Sequence, residues 1–311
     1  MKTLVYHDGA LGDMLLSLPC LRRLKAQSHE VHLAGRGDVV RFLRDTGVVD
    51  AASSSDGALF ASLYSAVDLR LRTFLSGFNR ALVFSTEEHP ASALAIGTVI
   101  PDTRTIRTIP PGGSQTHAAQ YRLSQLEPDA PVSSHYTVLS VPPKEAKAAQ
   151  SYLVEAGYRS GAGLVAVHPG SGGRPKRWPL ERFFGLIERL QSGSDAFVVV
   201  FTGEAEDGEI RQAVCRRARG RKNMLHADGL PLLSAAALLS HCGLYVGNDS
   251  GFSHLAGALG CPTIVLFGPT NPLVWKPLGP RVETVSTGVP GPMARISADE
   301  VIAKIRSMVP R

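Results

Sequence analysis

The sequence predicts an α/β protein with two parallel sheets, and three observations support this fold class. Short β-branched runs alternate with helix-length segments along all 311 residues. The chain is also about twice as long as an ordinary domain of roughly 150 residues. Both halves begin alike, with a strand, a glycine-rich turn and a helix, at residues 5–12 and 167–173. Because parallel strands need long crossover connections, the intervening segments are expected to be helices that cover the sheets.

The predicted strands are the short apolar segments between turn signals: Thr3–His7, Glu30–Ala34, Ala66–Leu69, Ala81–Ser85, Thr105–Ile109, Leu164–His168, Ala196–Phe201, Asn223–His226, Leu244–Val246 and Thr263–Phe267. The clearest predicted helices between them are Met14–Lys25, Pro179–Gln191, Gly208–Arg219 and Pro231–Ser240. So many strands would make an unusually long single sheet, so two sheets are expected. Ser297 and Glu300 have the spacing of a capping box, which predicts a terminal helix to Met308.

Prolines predict the boundary between the two halves. Glu-Pro-Asp-Ala-Pro at 127–131 and Val-Pro-Pro at 141–143 bracket a short apolar segment, and proline interrupts regular structure there. The boundary is expected near residues 140–160. The sequence therefore predicts one domain over residues 1–150 and a second over residues 151–311.

Composition excludes several classes of protein. Hydrophobic residues make up 44% of the chain and charged residues 19%, as in an ordinary globular protein. The apolar runs are far shorter than the roughly 20 residues that a membrane-spanning helix needs, and Met1–Tyr6 is too short for a signal-peptide core. A cytoplasmic enzyme or binding protein is the expectation.

The net charge limits the classes of binding partner, and the cysteine spacing bears on metal binding and disulfides. The formal net charge is +6, which favours anionic partners without choosing among them. No dense Lys/Arg block carries interleaved aromatic residues, so nucleic acid is not a predicted partner. The four cysteines form no close pair, which indicates reduced thiols rather than a zinc site or a disulfide.

The first candidate cluster is His7-Asp8-Gly9-Ala10-Leu11-Gly12-Asp13. A strand, a tight turn and a helix N-terminus form the position where α/β folds bind ligands. A phosphate-binding loop would not carry Asp13, because its carboxylate would repel the phosphate. Asp13 is therefore either the N-cap of the following helix or a carboxylate that accepts a proton from a substrate hydroxyl.

The second cluster runs from His168 to Pro179, with the sequence HPGSGGRPKRWP. Glycines such as Gly172 allow close backbone approach, Ser171 supplies a hydroxyl, and three cations follow. Such a set suits a pyrophosphate, which needs N–H donors and neutralising charge. The alternative is a mobile surface loop with solvated cations, but such a loop rarely needs a tryptophan.

The third cluster, Val246 to Ala256, again joins a strand to a helix. Asp249 or Ser250 would cap that helix, and the first-turn N–H groups at Gly251 would face a ligand. His254 is either a packed helical histidine or a ligand contact. The segment Gly268-Pro269-Thr270-Asn271-Pro272 is expected to be another rim loop beside the same site.

Three motifs together resemble the heptosyltransferases of glycosyltransferase family 9. They are Gly12-Asp13 with Leu18-Pro19, His168-Pro169-Gly170 with Lys176 and Trp178-Pro179, and Asn248-Asp249-Ser250-Gly251 with His254-Leu255. They occur in the order and approximate spacing of that family, from residue 9 to about residue 272. The resemblance implies a GT-B fold, in which two Rossmann-like domains face each other across a cleft. The N-terminal domain would bind the acceptor and the C-terminal domain the nucleotide sugar.

The resemblance also implies an activity and its residues. The reaction would be inverting, would need no metal or other cofactor, and would transfer a sugar from an ADP-heptose-like donor to a lipopolysaccharide-core acceptor. The implied general base is Asp13, and the implied phosphate-contacting cation is Lys176. The resemblance also implies phosphate contacts at Asp249, Ser250 and Gly251 and an acidic nucleotide contact after Gly203, for which Glu206 and Asp207 are candidates. From the residues themselves, Ser171, Gly172 and His254 are further candidates toward the donor, and His7 and Gly12 are candidates toward the acceptor.

Two further observations concern the acceptor side of the site and contact with the membrane. Family members often have Lys or Arg at the end of the first strand, where this chain has His7. The implied acceptor is lipid-linked and the chain is basic, so peripheral contact with the cytoplasmic face of the inner membrane is expected.

Other functions stay open at this point. A nucleotide-sugar epimerase of similar fold would use the donor site without an acceptor, and a non-catalytic protein would bind the donor without turnover. A Rossmann-type oxidoreductase is disfavoured, because neither glycine-rich turn has the Gly-x-Gly-x-x-Gly pattern.

Overall fold

The computed structural model describes residues 1–133, 138–192, 194–203 and 208–308. The chain divides into two compact units, Met1–Thr137 and Val138–Arg311. Each unit contains one sheet of parallel strands with helical connections. The predicted fold class, α/β with two parallel sheets, is confirmed.

The first unit is built on a five-stranded sheet in the order β3-β2-β1-β4-β5. Its strands are β1 (Lys2–His7), β2 (Glu30–Gly35), β3 (Ala51–Ser54), β4 (Arg80–Ser85) and β5 (Thr103–Arg107). Its helices are α1 (Leu11–Leu16), α2 (Leu18–Ala26), α3 (Gly37–Asp45), α4 (Leu69–Leu75), α5 (Ala91–Gly97) and α6 (Ala118–Ser124). The strand order reverses between β1 and β4, and ligands bind beyond the carboxyl ends of the strands at such a switch point.

The second unit is built on a six-stranded sheet in the order β11-β10-β9-β6-β7-β8. Its strands are β6 (Leu164–His168), β7 (Phe197–Thr202), β8 (Met224–Asp228), β9 (Leu244–Asn248), β10 (Thr263–Phe267) and β11 (Val282–Ser286). Its helices are α7 (Pro143–Glu155), α8 (Leu180–Gln191), α9 (Gly208–Ala218), α10 (Leu232–Ser240), α11 (Gly251–Ala258), α12 (Pro272–Trp275) and α13 (Ala298–Met308). This is the strand order of the doubly wound Rossmann fold, with its switch point between β6 and β9.

The central strands of the second sheet explain why the sequence reads as continuous apolar runs. Every residue of β6, β7, β9 and β10 is buried. Parallel strands covered by helices on both faces have no solvent side, so alternation with polar residues disappears. The edge strand β11 is different, since two of its five residues are exposed.

One strand prediction was wrong, and two observed strands were not predicted. Residues 66–68 form no strand, and Leu69 begins α4, which Asp68 caps by accepting from Leu71 N at 2.8 Å. The third strand is instead β3, whose sequence Ala-Ala-Ser-Ser lacks β-branched residues. It exists because β2 pairs with it in parallel at the sheet edge. The edge strand β11 was also missed.

The first helix prediction, Met14–Lys25, was wrong about continuity. The segment forms two helices, α1 and α2, which meet at Ser17. Pro19 occupies the first turn of α2, where a missing N–H is tolerated. The capping box before α13 is confirmed: Ser297 N and Glu300 Oε2 are 2.7 Å apart, and Glu300 N donates to Ser297 Oγ at 3.2 Å.

The two units divide earlier in the chain than the predicted boundary. A boundary at 150/151 falls inside α7, and α7 packs against α10 of the second unit. Leu139 N also donates to Ala258 O of the second unit. Among the helices of the described ranges, we find none whose length and hydrophobicity would let it cross a lipid bilayer.

Candidate functional site

The β1–α1 turn brings His7, Gly9 and Asp13 to the carboxyl end of the first sheet, at its switch point. A Cβ atom added at Gly9 would lie 2.6 Å from His7 Cε1 and 2.8 Å from Asp13 Cβ. A side chain at residue 9 would therefore displace both neighbours. Gly12, the other glycine of this turn, lies within α1.

His7 is buried and neutral. Its imidazole stacks on Phe84 with a centroid distance of 4.9 Å and an interplanar angle of 9°. Gly9 N donates to His7 Nδ1 at 3.1 Å, so Nδ1 is an acceptor and the proton resides on Nε2. His7 Nε2 then donates to Ser17 Oγ at 3.0 Å. Burial, with the charge of Arg122, lowers the pKa of His7 to about 3.

Arg122, on α6, is the group that sequence reasoning missed in this unit. Its side chain is 0% exposed, yet it is 3.0 Å from Asp13 Oδ1 through Nη2. Its Nη1 donates to Asp13 O and to Ser17 Oγ, and its Nε donates to Thr108 O at 3.0 Å. No local sequence signal could have found it, since 109 positions separate it from Asp13.

The structure excludes one interpretation of Asp13. Its position is inside the first turn of α1, whose N-cap is Ala10, so Asp13 is not an N-cap. The Asp13 side chain is 43% exposed. In the described part of the chain Arg122 donates to Oδ1, and Oδ2 accepts no hydrogen bond. A carboxylate held on one side and open on the other can accept a proton from a bound hydroxyl.

The neutral state of His7 should make the protein sensitive to acid. The folded-state pKa of about 3 is below the ordinary value of 6.5. Because the unfolded chain then binds the extra proton, the contribution of His7 is complete above pH 6.5 and is lost as the pH falls toward 3. We expect about 2 kcal/mol of unfolding free energy to be lost between pH 6.5 and 4.5 through this residue.

This expectation is checked by urea denaturation at several pH values. His7→Gln should have a lower free energy of unfolding at neutral pH. Between pH 6.5 and 4.5, however, it should not show the loss of unfolding free energy that protonation of His7 causes. His89→Gln, at an exposed histidine of the same unit, should keep the slope of the natural protein. An unchanged slope in His7→Gln would contradict a neutral buried His7.

In the second unit, the loop after β6 is anchored to the protein interior. Ser171 is buried, and its Oγ donates to Asp249 O at 2.9 Å. Trp178 is 1% exposed, packs edge-on against Phe183, and donates through Nε1 to Ile296 O at 2.9 Å. The interpretation as a solvated surface loop is wrong for these residues, although Gly172 is exposed at the surface.

Asn248, the last residue of β9, forms hydrogen bonds with that loop across the switch point. It is 0% exposed, and its Nδ2 donates to Pro169 O at 2.8 Å. Its Oδ1 accepts from Trp178 N at 3.0 Å. The two motifs that the sequence identified separately are therefore one unit of structure, because β6 and β9 are neighbours.

Lys176 and Asp249 form an ion pair at this position. Lys176 Nζ is 2.8 Å from Asp249 Oδ2, and Thr270 Oγ1 donates to the same oxygen at 2.7 Å. The Asp249 side chain is only 7% exposed, whereas that of Lys176 is 36% exposed. The carboxylate is thus shielded while the ammonium stays accessible. Thr270 belongs to the segment that the sequence predicted as a rim loop beside this site.

Ser250 caps α11, which begins at Gly251 beside Asp249. The Ser250 side chain accepts from Ser253 N at 3.4 Å. N–H groups of a helix's first turn lack partners within the helix and carry a partial positive charge, so they suit an anionic group. His254 is buried in the same helix. The predicted donor residues Ser171, Lys176, Asp249, Ser250 and Gly251 are therefore neighbours at the β6–β9 switch point.

The residues predicted toward the nucleotide are only partly described. Gly203 follows β7, whereas Glu206 and Asp207 lie outside the described residues. Near that end, Asp228 accepts from Thr202 Oγ1 at 2.6 Å and pairs with Arg211 at 2.7 Å. Hydrogen bonding from Arg211 lowers the pKa of Asp228 to about 2. Over residues 1–133, 138–192, 194–203 and 208–308, no group of His, Cys, Asp and Glu is arranged to hold a metal ion.

Two doubly wound units, each with polar groups at its switch point, define the class of protein to which this chain belongs: the GT-B type of two Rossmann-like domains. The same fold is found in the E. coli ADP-heptose lipopolysaccharide heptosyltransferase II, with a TM-score of 0.81, 20% identity and coverage of 99% of this chain and 98% of that one. It is also found in the E. coli heptosyltransferase WaaC with ADP, with a TM-score of 0.69, 19% identity and coverage of 99% and 100%.

The chain belongs to glycosyltransferase family 9 (heptosyltransferase), whose model matches residues 115–302. The lipooligosaccharide heptosyltransferase 2 of Haemophilus influenzae is 29% identical over 169 residues, which are 50% of this chain and 46% of that protein. The chain thus spans about half of the length of this curated relative. The resemblance deduced from three short motifs is confirmed. The matched range contains the whole Lys176–Asp249 site and Arg122, and Asp13 lies before it.

Proposed function

We propose that this protein is an inverting glycosyltransferase that transfers a heptose from an ADP-heptose donor to a lipopolysaccharide-core acceptor without a metal ion. The observation that carries the proposal is the site at the β6–β9 switch point. There Lys176 supplies a cation and the N-terminus of α11 supplies N–H donors, while the buried Ser171 fixes the loop by donating to Asp249 O. Family membership and the heptosyltransferase names of the relatives support the sugar and the acceptor.

The reaction needs one proton acceptor and one stabilised leaving group. The acceptor hydroxyl attacks the anomeric carbon on the face opposite the diphosphate, and a new C–O bond forms as the bond to ADP breaks. Asp13 accepts the hydroxyl proton. The charge that develops on the departing diphosphate is balanced by Lys176 and by the N–H groups that begin α11.

The Lys176–Asp249 pair favours this use of the lysine. A buried carboxylate fixes Lys176 Nζ at 2.8 Å, so the ammonium does not have to be ordered when the donor binds. An ammonium has three N–H donors, and Asp249 uses one. Thr270 gives Asp249 a second hydrogen bond, which helps to satisfy the carboxylate in its shielded position.

Donor identity and acceptor dependence test the proposal. A calorimetric panel of ADP, UDP, GDP and CDP should show preference for ADP. ADP release from ADP-heptose should require heptose-deficient lipopolysaccharide. Preference for UDP or GDP would overturn the heptose donor. Release of nucleotide from the donor alone would point to an epimerase, and donor affinity without product would point to a binding protein.

Lys176→Ala should weaken ADP binding by about 1.5–3 kcal/mol, roughly 10- to 150-fold, the range for a hydrogen bond to a charged group. Adenosine, which has no phosphate, should bind almost unchanged. Lys222→Ala removes the same charge from an exposed surface position of the same unit and serves as the control. Calorimetry of the three proteins with both ligands is the measurement. An ADP affinity within three-fold of the natural protein would exclude Lys176 from the phosphate site.

The proposed location follows from the acceptor. A lipid-linked acceptor and a net charge of +6 favour a cytoplasmic protein in peripheral contact with the inner membrane face. At low salt, the protein should sediment with anionic vesicles. A protein that stays in the supernatant would contradict the proposed contact with the membrane.

A further inference from the structure

Among the arginines described in this unit, Arg122 is the one that is fully buried. Its charged partner, in contrast, is open to solvent. The Arg122 side chain is 0% exposed, and the carboxylate it contacts, Asp13, is 43% exposed. Burying a guanidinium is costly unless hydrogen bonds and an opposite charge compensate it. Packing alone would be served as well by an apolar side chain. A buried charge at this position is therefore better explained by its interaction with Asp13 than by packing.

Arg122 contacts Asp13 at two atoms and is itself held by hydrogen bonds to two other residues. The guanidinium is fixed by Thr108 O at Nε and by Ser17 Oγ at Nη1. It then binds Asp13 twice, at the main-chain O and at Oδ1. A planar, five-donor fork can make these bonds together, which a lysine ammonium on a flexible stem cannot.

The hydrogen bonds around Ser17 also include an uncharged group, the imidazole of His7. His7 donates to Ser17 Oγ, and Gly9 N donates to His7. No second cation from β1 competes for Asp13 in the described residues, because burial keeps His7 uncharged. Among the described residues, Arg122 is the cation that contacts the Asp13 carboxylate.

We propose that Arg122 is a positioning residue for Asp13. Its guanidinium holds one carboxylate oxygen and leaves the other for the acceptor hydroxyl. This inference rests on the proposed function, in which Asp13 is the base. Because the Arg122 side chain is 0% exposed and contacts Asp13, it would act on the reaction through Asp13. Misplacing a reacting group by about 1 Å costs on the order of 100-fold in rate.

The first test uses Arg122→Ala and Arg122→Lys, assayed as ADP release from ADP-heptose with heptose-deficient lipopolysaccharide. Both should lower kcat by about 10- to 100-fold and leave the donor KM within about three-fold, as expected for a misplaced base. Methylguanidinium at a non-denaturing concentration should restore part of the kcat of Arg122→Ala and none of that of Arg122→Lys. Arg23→Ala, which breaks another arginine–carboxylate pair near α6, should show neither effect.

The second test is a double-mutant cycle with Asp13→Asn. If Arg122 acts through Asp13, the double variant Asp13→Asn/Arg122→Lys should be no slower than Asp13→Asn alone. A double variant slowed by the product of the two single effects would overturn the inference. So would a folded Arg122→Ala protein with natural kcat. Should Arg122→Ala not fold, natural kcat in Arg122→Lys would overturn it equally.

Failure of the proposed function gives a different result. Natural turnover in Asp13→Asn would remove the base and this inference with it. A slow Asp13→Asn protein combined with fully active Arg122 variants would remove only the inference.

Discussion

Asp13→Asn should lower turnover by roughly 10²–10⁴-fold, the usual contribution of a positioned general base. The amide keeps the shape of the carboxylate but cannot accept the hydroxyl proton. ADP affinity should stay within about three-fold, because the proposed phosphate contacts all belong to the second unit. Single-turnover kinetics with ADP-heptose, together with calorimetry for ADP, is the measurement.

The stability of Asp13→Asn should fall measurably, but the protein should still fold. Arg122 Nη2 loses a charged acceptor at 3.0 Å, but the carbonyl oxygen of the introduced amide can still accept, and the main-chain O of residue 13 remains bound. Because Arg122 is fully buried and loses the charge that compensates its guanidinium, we expect a cost of about 1–3 kcal/mol, reduced by the hydrogen bonds that remain. A cap role would have predicted normal stability and normal turnover, but the observed N-cap is Ala10.

Asp8→Asn is the matched control for this experiment. Asp8 is a carboxylate of the same turn, and its Oδ1 accepts from Ser55 Oγ at 3.0 Å. Its substitution should leave turnover within about three-fold, because the introduced amide can still accept the hydrogen bond from Ser55. A strong loss of turnover in Asp8→Asn, combined with normal turnover in Asp13→Asn, would assign the base to Asp8 instead.

Trp178→Ala should lower the free energy of unfolding by about 3–5 kcal/mol, the range for removing a large buried aromatic side chain. Trp178 is 1% exposed, and the substitution opens a cavity beside Phe183. It also removes the Nε1 donor to Ile296 O. Denaturation by urea, followed by circular dichroism, measures the loss. A change below about 1 kcal/mol would contradict the central place of Trp178 in this core.

Two further variants separate packing from the site. Trp178→Phe should be much milder, because the ring contact is largely kept and Ile296 O still accepts from Arg182. Leu239→Ala makes a buried cavity in α10, away from the loop after β6. At equal fractions of folded protein, Trp178→Ala should weaken ADP binding, because the loop of Ser171 and Lys176 loses its anchor. Leu239→Ala should not.

The sequence alone predicted the features that are local along the chain. Alternating strands and helices, the two glycine-rich turns and the capping box at Ser297 all depend on residues within a few positions of one another. The motif residues could therefore be named, and the family with them. The same local reasoning failed at β3, since its small residues carry no strand signal and pairing with β2 creates the strand.

Tertiary structure decided which of the named residues act together. Asp249 and Lys176 are 73 positions apart and meet because β6 and β9 are neighbours. The bend at Ser17, which breaks the first predicted helix, allows Ser17 Oγ to meet both His7 and Arg122. Arg122 reaches Asp13 from 109 positions away. Contacts of this kind depend on strand order, which local preferences along the chain do not encode, because it is selected by burial and pairing across the whole unit.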